Sequence, residues 1–484
     1  MQRSTRNWII VLVMLALAVF VIRITGPADL EDNSQARSVG YAMDLTECGH
    51  WLVQHDLQGR IISTPPLHTW LIGILAVPFG LNRLTLVLPS FLAVLTMTLL
   101  VFETGRRRFG LLSGGIAGLS MIMAPMLWGQ VGLVRSDAVF SLAIAAGAFP
   151  AFHGWEKGRG WTLFWILGAI ATLTKGPLGL LLSAGGLLAW FWENRTHGPA
   201  LRPRGRQLPG ITLFFMICLG WIIPALWFHG QALIDKNTFH ELLGHLGADA
   251  DPQDLSNNRT HLLEPALSLL TNFAPFSLLA VHGIYQTFKS PATDGTERRL
   301  ERFLTCWILL GLLIFSIASH HPEDLLLPLW PAGALLAGRE GSRLVNKLGS
   351  MKSVCLAATA SILLLCLAWG RYHPLPGRPL KSVAYSESVR DAAEAFRKTG
   401  LDPFVIQYLE VPTTFQFYLG TANTGKKYSE ILPTRNRRED RILVATRDSP
   451  LDPKTVGASQ ADEVFRWPTD TSKMAVIRIY DVVW

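Results

Sequence analysis

The most restrictive feature of this 484-residue sequence is a series of apolar blocks, each long enough for a membrane span. A helix rises 1.5 Å per residue, so a block of about 20 apolar residues crosses a hydrocarbon core of about 30 Å. Charged residues make up only 17% of the chain, whereas soluble domains usually carry about 25%. This composition excludes a soluble globular enzyme, a disordered chain and a disulfide scaffold. It predicts an all-α polytopic membrane protein.

The basic residues of the chain lie mainly in short loops between apolar blocks. The chain has 44 Lys and Arg against 36 Asp and Glu, a net charge of +8, which in another setting would suggest nucleic acid as a partner. The position of the basic residues in short loops indicates instead that they set the membrane topology, so nucleic acid is excluded as a partner. Arg3 and Arg6 predict a cytoplasmic N-terminus, followed by an uncleaved first helix over 8–26.

Placing every basic loop on the cytoplasmic face predicts eleven crossings. The apolar segment 67–80 is too short to cross and ends near Pro78, so it is predicted as an interfacial or re-entrant helix within a long outer loop, 27–83. The predicted crossings are residues 8–26, 84–104, 110–130, 138–154, 161–174, 176–192, 209–228, 265–288, 303–319, 325–338 and 353–370.

This topology divides the chain into a transmembrane domain, 1–370, and a tail, 371–484, on the outer side. The tail shows an amphipathic helical pattern near 386–399 and strand-like runs at Phe404–Leu409, Arg441–Ala445 and Ala475–Tyr480. We therefore expect a small C-terminal α/β domain in the periplasm. Of the five cysteines only Cys48 lies outside these apolar segments, so the spacing indicates neither a disulfide framework nor a metal-type cysteine cluster.

An acidic cluster follows the first predicted helix and includes Asp29, Glu31 and Asp32. One interpretation is a general base at the membrane boundary, since partial burial tunes a carboxyl group for proton transfer. The other is a solvated cap on a loop helix, because Asp29 and Asp32 are good N-cap residues.

Ionisable residues also interrupt the apolar pattern at Arg135, Asp137 and Lys175, on the predicted outer face. Arg135 and Asp137 either pair with each other or face one cavity. Lys175 either meets an anionic phosphate or extends to the interface as an amphipathic side chain.

Two further outer loops carry histidines, and the spacing of these histidines leaves their role open. His320 and His321 precede Glu323 and Asp324 in a hairpin that suits a phosphate, a metal ion or no ligand at all. His261 lies in the loop 229–264, whose other histidines lack the zinc-protease spacing.

The order of these motifs is more specific than any one of them. The chain reads from the acidic cluster through Gly49-His50-Trp51-Leu52-Val53 and Pro65-Pro66-Leu67-His68-Thr69-Trp70 to Arg135-Ser136-Asp137 and Leu173-Thr174-Lys175-Gly176-Pro177. Over residues 1–340 this order resembles the GT-C superfamily of polyprenyl-phosphate-sugar glycosyltransferases. Within it the chain resembles the protein O-mannosyltransferase and aminoarabinose (lipid A) transferase group.

The resemblance implies roles for individual residues. The aspartate of the family's P-D-E-x-R-Y motif, its proposed catalytic base, falls on Asp32, with Glu31 as a competing candidate. Lys175 and Arg135, with His320 or His321, would bind the donor phosphate. A second set is assigned to acceptor binding or to lining the site: Asp137, Asn33 and His261.

The sequence departs from the family pattern at several of these motifs. Asn33 stands in place of the usual glutamate, Gln35 in place of the arginine, and Thr64 in place of the lysine of the family's K-P-P motif. In the hairpin, a histidine takes the place of the family's lysine.

The resemblance also implies partners and location. The donor would be a polyprenyl-phosphate-linked sugar, the acceptor a hydroxyl or phosphate on a lipid, glycan or protein, and the site the periplasmic side of a bacterial inner membrane. No cofactor is required and no metal ligands are assigned, although a divalent metal ion is compatible with the chemistry. The alternative is a transporter or flippase of lipid-linked glycans, which would favour charges at the membrane midplane.

Overall fold

The computed structural model describes most of the helical part of the chain and parts of the C-terminal region. The described residues are 2–26, 30, 33–57, 59–62, 64–197, 205–235, 263–317, 323–348, 350–373, 381–409, 411–422, 441–446, 451–453, 458–469 and 476–483.

Helices dominate the described residues as far as residue 373. In chain order they are α1 (Gln2–Thr25), α2 (Asn33–Glu47), α3 (Leu67–Phe79), α4 (Arg83–Phe109), α5 (Leu111–Met123), α6 (Pro125–Gln130), α7 (Asp137–Lys157), α8 (Trp161–Lys175), α9 (Leu178–Ala184), α10 (Ala189–His197), α11 (Leu208–Asp235), α12 (Glu264–Asn272), α13 (Phe276–Lys289), α14 (Gly295–Ile317), α15 (Trp330–Leu348) and α16 (Ser350–Tyr372). Two 3₁₀ segments, Gly185–Leu188 and Glu323–Leu329, precede α10 and α15.

Five helices among the described residues are long and apolar enough to cross a membrane. They are Arg3–Thr25, Arg83–Phe109, Asp137–Lys157, Leu208–Gly230 and Gly295–Ile317. The predicted interfacial segment 67–80 forms a helix of 13 residues, shorter than a span requires. The fold class is therefore confirmed as a mainly helical membrane protein, while the count of eleven crossings stays a prediction.

Two predicted helices are each divided at a proline. The predicted helix 110–130 ends at Met123, Ala124 is extended with ψ 132°, and α6 begins at Pro125. The predicted helix 265–288 is divided in the same way between α12 and α13, directly after Pro275. Proline lacks the N–H that a continuing helix would need and disfavours the helical conformation of the residue before it, so both predictions of one continuous helix were wrong.

The predicted helix 176–192 is also interrupted, here by the 3₁₀ segment Gly185–Leu188. A Cβ atom on Gly186 would lie 2.5 Å from the ring of Phe303 in α14. Only glycine permits this close approach, and glycine also weakens a regular helix. Packing against α14 thus explains the break.

The chain forms two compact units. One comprises Met1–Thr25, Ser63–His68 and Val87–Tyr372, and the other comprises Gly26–Ile62, Thr69–Leu86 and His373–Trp484. The predicted domain limits, 1–370 and 371–484, stay a prediction. In the second unit, most of the predicted outer loop, 27–83, packs with the C-terminal region.

The second unit contains a small sheet. Helix α17 (Lys381–Arg397), strand β1 (Gln407–Tyr408), helix α18 (Thr413–Leu419) and strands β2 (Arg441–Thr446), β3 (Gln460–Trp467) and β4 (Ile477–Val483) follow α16. The strand order is β1-β2-β4-β3, with β1 parallel to β2 and the other two pairs antiparallel. Helix α2 packs on α18 within the same unit.

The predicted α/β character of this region is confirmed, but its details differ. The predicted strand Phe404–Leu409 is a 3₁₀ turn, Pro403–Val405, followed by the two residues of β1. Strand β3 was missed because its residues are mostly exposed or half-buried, so the sequence lacks clear alternation of apolar and polar residues there.

Several arginines in the predicted cytoplasmic loops pair with buried glutamates. The carboxylate of Glu156, at the end of α7, accepts hydrogen bonds from Arg108 at 3.2 Å and Arg299 at 3.0 Å. These contacts join the ends of α4, α7 and α14. The basic residues therefore hold the helix ends together as well as matching the expected positive-inside pattern.

Glu193 of α10 forms a second and more buried cluster of this kind. Arg298 donates to it at 2.7 Å and Arg302 at 2.5 Å, and the side chains of Glu193 and Arg302 are each 4% exposed. Removing one partner of such a buried pair leaves an uncompensated charge, which costs about 3–5 kcal/mol.

We therefore predict that Glu193→Gln lowers the free energy of unfolding by about 3 kcal/mol or more, because two arginines lose their counterion. The control is Glu103→Gln, since the Glu103 side chain is 35% exposed and pairs with Arg106 and Arg107 on its own helix. That change should cost less than about 1 kcal/mol. Denaturant unfolding of both variants in detergent measures the difference, and equal losses would contradict the prediction.

Candidate functional site

A buried carboxylate with two cationic partners lies at the start of α7. The side chain of Asp137 is 2% exposed. The Lys175 ammonium donates to its Oδ1 at 2.5 Å, and Arg135 Nε lies 3.2 Å from its Oδ2. Both carboxylate oxygens therefore face a positive charge, as a buried carboxylate requires.

The ends of two packed helices create this arrangement. Asp137 is the first residue of α7 and Lys175 is the last residue of α8, and these helices pack against each other. A carboxylate is favoured at a helix N-terminus and an ammonium at a C-terminus, because unpaired backbone groups leave partial charges of opposite sign there. Each side chain thus suits its own helix end as well as its partner.

Helix α4 fixes the segment that carries Arg135. The hydroxyl of Ser90 donates to the backbone carbonyl of Leu133 at 2.7 Å and lies 3.3 Å from the carbonyl of Arg135. Ser90 is itself buried. The turn between α6 and α7 is therefore held in place beneath the ion pair.

His68 completes the cluster, from the start of α3. Its side chain is buried, and its Nε2 has no hydrogen-bond partner among the described residues. Burial lowers the pKa of His68 to about 4, with the nearby positive charge of Lys175 acting in the same direction and the Asp137 carboxylate opposing both. The imidazole is therefore neutral at pH 7 and offers one unpaired polar atom.

Two of the four described members of the cluster are cations. Lys175 and Arg135 each carry a positive charge, Asp137 carries a negative charge, and His68 is neutral. The side chains of Lys175 and Arg135 are 20% and 23% exposed, so both retain some access from outside the protein interior. Two cations with partial access favour binding of an anion such as a phosphate.

The structure brings together three of the residues predicted from the sequence, Arg135, Asp137 and Lys175. The other predicted site residues could not be placed with them. Five of them lie outside the described residues: Asp32, Glu31, His261, His320 and His321. Asn33 is the first residue of α2, and only its backbone is described.

His68 was missed as a member of the cluster. The segment Pro65-Pro66-Leu67-His68-Thr69-Trp70 was interpreted as a membrane anchor because of its prolines and tryptophan. The available signal was a histidine in the first turn of an otherwise apolar helix. Its burial within range of the charges of Asp137 and Lys175 could not be deduced, since that proximity depends on packing between distant segments.

The low pKa of His68 predicts a specific pH dependence of stability. The unfolded chain binds a proton at His68 near pH 6.5 and the folded chain near pH 4, so stability is full above pH 6.5 and falls as the pH falls to 4. The shift in the pKa of His68 costs the folded state about 3 kcal/mol of stability at pH 4. We expect His68→Asn to remove this loss. Denaturant unfolding at pH 7, 5.5 and 4 measures the free energy of unfolding of both proteins. A difference between wild type and variant that stays constant across this pH range would contradict the prediction.

Comparison with known families supports a common origin for the region that carries the cluster. Residues 63–223 match the family model described as dolichyl-phosphate-mannose-protein mannosyltransferase. This region includes all four members of the cluster, His68, Arg135, Asp137 and Lys175.

Curated relatives match over a longer part of the chain at low identity. The undecaprenyl phosphate-alpha-4-amino-4-deoxy-L-arabinose arabinosyl transferase of Erwinia tasmaniensis is 22% identical over 372 residues, which cover 72% of this chain and 64% of that protein. The protein of the same name from Pseudomonas aeruginosa is 25% identical over 68% of this chain and 57% of its own length. An uncharacterized protein of Aquifex aeolicus is 25% identical over 57% of this chain and 52% of its own length. The chain thus spans about half to two thirds of the length of these relatives.

Solved structures share the fold. ArnT from Cupriavidus metallidurans, bound to undecaprenyl phosphate, superposes with a TM-score of 0.75 at 15% identity, covering 98% of both chains. An oligosaccharyltransferase from Archaeoglobus fulgidus superposes with a TM-score of 0.55 at 13% identity, covering 85% of this chain and 63% of that one. The resemblance inferred from the order of the motifs is therefore confirmed. In sequence over residues 63–223 and in its fold, this chain resembles the polyprenyl-phosphate-sugar glycosyltransferases of the GT-C superfamily.

Proposed function

We propose that this protein is an integral membrane glycosyltransferase that moves a sugar from a polyprenyl-phosphate donor to an acceptor hydroxyl or phosphate. The names of its relatives support this class, since several are undecaprenyl phosphate aminoarabinose transferases. The fold shared with a chain that binds undecaprenyl phosphate also supports it. The acceptor belongs to a lipid, a glycan or a protein.

The observation that carries the proposal is the pair of partly accessible cations, Lys175 and Arg135, beside Asp137. When a sugar leaves polyprenyl phosphate, negative charge develops on the phosphate oxygen that had held it. Lys175 and Arg135 would stabilise that charge in the transition state, which lowers the barrier more than binding of the ground state does. Asp137 sets the positions of both cations, because each contacts a different oxygen of one carboxylate.

His68 adds a neutral polar atom to this phosphate site. Because Nε2 has no partner among the described residues, a donor phosphate would satisfy it at no cost to an existing hydrogen bond. In the proposed site His320 or His321 adds a further donor to the phosphate, and Asn33 and His261 line the acceptor side.

Asp32 is the proposed general base, with Glu31 as the alternative. The acceptor hydroxyl passes its proton to the carboxylate of Asp32 and attacks the anomeric carbon. The bond from that carbon to the phosphate oxygen breaks, polyprenyl phosphate leaves, and the configuration inverts. This proposal rests on the position of the acidic cluster directly before α2 and on the motif that it resembles.

Transfer by the purified protein from an undecaprenyl-phosphate sugar tests the proposal. We expect Asp32→Asn to abolish transfer while membrane insertion and folding are retained, because the amide cannot accept the proton. Glu31→Gln is the matched control and should retain activity. Robust turnover by Asp32→Asn would assign the base to Glu31, and translocation of the donor without transfer by wild type would favour a flippase.

Lys175→Met should lower the rate of transfer by about 10²–10³-fold, since it removes one cation from the leaving phosphate. Lys157→Met at the other end of α7 is the control, because Lys157 is exposed and lies outside the cluster. Steady-state kinetics of both variants give the comparison. A normal rate for Lys175→Met would remove the phosphate-binding role from this residue.

We further propose that the site faces the periplasm of a bacterial inner membrane, with the N-terminus in the cytoplasm. Support comes from the predicted placement of the basic loops on one face, where arginines meet a buried glutamate at the end of α7 opposite Asp137. Alkaline phosphatase fused after residue 484 should therefore be active, since it folds only outside the cytoplasm. An inactive fusion of normal abundance would indicate the opposite orientation.

A further inference from the structure

A second cluster of polar side chains lies at the C-terminal end of α2, in the unit that contains the C-terminal region. Asp44 occupies its centre with a side chain that is 10% exposed. Cys48, His50 and His55 surround this carboxylate. The proposed glycosyl transfer uses none of these four residues.

The donors around Asp44 are close. His50 Nδ1 lies 2.9 Å from Oδ1, and Cys48 Sγ lies within 4.8 Å of the ligand atoms of both Asp44 and His50. The backbone N–H of His55 donates to Oδ2 at 2.8 Å, and its Nδ1 lies 3.6 Å from that oxygen. Burial raises the pKa of Asp44, but the hydrogen bonds from His55 and His50 outweigh it and hold the pKa below its usual value. The carboxylate is therefore ionised at neutral pH.

The backbone brings these side chains together by a tight reversal. Cys48 N–H donates to the carbonyl of Asp44 at 3.1 Å, which closes the last turn of α2. Gly49 then adopts φ +75°, a conformation that side chains with a Cβ rarely reach. The chain turns back at this glycine, so His50 faces the same side of the helix end as Asp44.

The potential ligand atoms of Asp44, Cys48 and His50 all lie within 4.8 Å of one another. Ligands of one tetrahedral Zn²⁺ lie about 3.3–3.6 Å apart, given bonds of about 2.0–2.3 Å. Rotation of exposed side chains covers that difference, since Cys48 is exposed and the His50 side chain is 53% exposed.

The chemistry of this set favours zinc over calcium and magnesium. A thiolate and an imidazole suit Zn²⁺, whereas Ca²⁺ and Mg²⁺ prefer oxygen ligands alone. The hydrogen bond from the His55 backbone to Oδ2 leaves Oδ1 for the metal and fixes the orientation of the carboxylate, an arrangement that strengthens metal binding.

We propose that Asp44, Cys48 and His50 bind a zinc ion, with water in the fourth position. On binding, the Cys48 thiol releases its proton to solvent and bonds to zinc as a thiolate. The imidazole of His50 carries its hydrogen on Nε2 and binds through Nδ1. The ion ties the turn at 48–50 to the end of α2, the helix that packs on α18.

Thiol protection tests this site without any substitution. The full-length protein in detergent is treated with a chelator and then with N-ethylmaleimide, with or without Zn²⁺. We expect Zn²⁺ to slow modification of Cys48 by at least about tenfold, because a metal-bound thiolate is a poor nucleophile. A cysteine-containing reference peptide without other metal ligands, added to the same sample and followed by mass spectrometry, is the internal control and should react at the same rate with and without Zn²⁺.

Cobalt and matched variants give an independent readout. Co²⁺ should produce a near-ultraviolet thiolate-to-cobalt absorption band in wild type, which Cys48→Ser removes and His50→Asn weakens. Glu47→Gln is the control, because it removes an exposed carboxylate one residue before Cys48 and should leave the band unchanged. Unprotected Cys48 in folded wild type, or a cobalt band that persists in Cys48→Ser, would overturn the proposal. Absence of zinc binding to wild type, with glycosyl transfer intact, would contradict the zinc site and would not affect the proposed function.

Discussion

The ion cluster around Asp137 is the interaction on which the arrangement of the site depends. A buried carboxylate is costly unless opposite charges and hydrogen bonds meet it, and here each of its two oxygens has its own cation. The same carboxylate thereby joins the start of α7 to the end of α8 and orders the turn that carries Arg135. Stability and proposed chemistry share one group, since the residue that holds the helices together also positions the cations for an anionic leaving group.

The two ends of this helical unit handle charge differently. At the end of α7 that carries Glu156, two arginines meet one buried glutamate, and a similar pair of arginines meets Glu193. Those arginines join several helix ends. At the Asp137 end two partly accessible cations lie near a neutral, buried histidine whose Nε2 has no hydrogen-bond partner among the described residues. Charge pairing at the first end favours stability, and the accessible cations at the second favour binding of an anion.

Prediction from the sequence succeeded where one local pattern determines the outcome. The apolar blocks at α1, α4, α7 and α11 correspond to predicted helices, because length and hydropathy decide such elements. It failed at Pro125, at Pro275 and at the segment 185–188, where apolar composition hid the breaks. Strand β3 was missed because half-buried strands without alternation carry little local signal. Most of the outer loop packs with the C-terminal region, which no local pattern indicates.

The sequence by itself predicted a polytopic helical membrane protein that resembles the GT-C superfamily, because apolar block length and motif order are properties of the linear chain. It also identified Arg135, Asp137 and Lys175 as charges that an apolar setting must accommodate. Only the tertiary structure decided that all three meet, that His68 joins them, and that Cys48 lies beside Asp44 and His50. These contacts depend on how side chains pack and on where the backbone turns back on itself. The spacing of residues along the sequence determines neither.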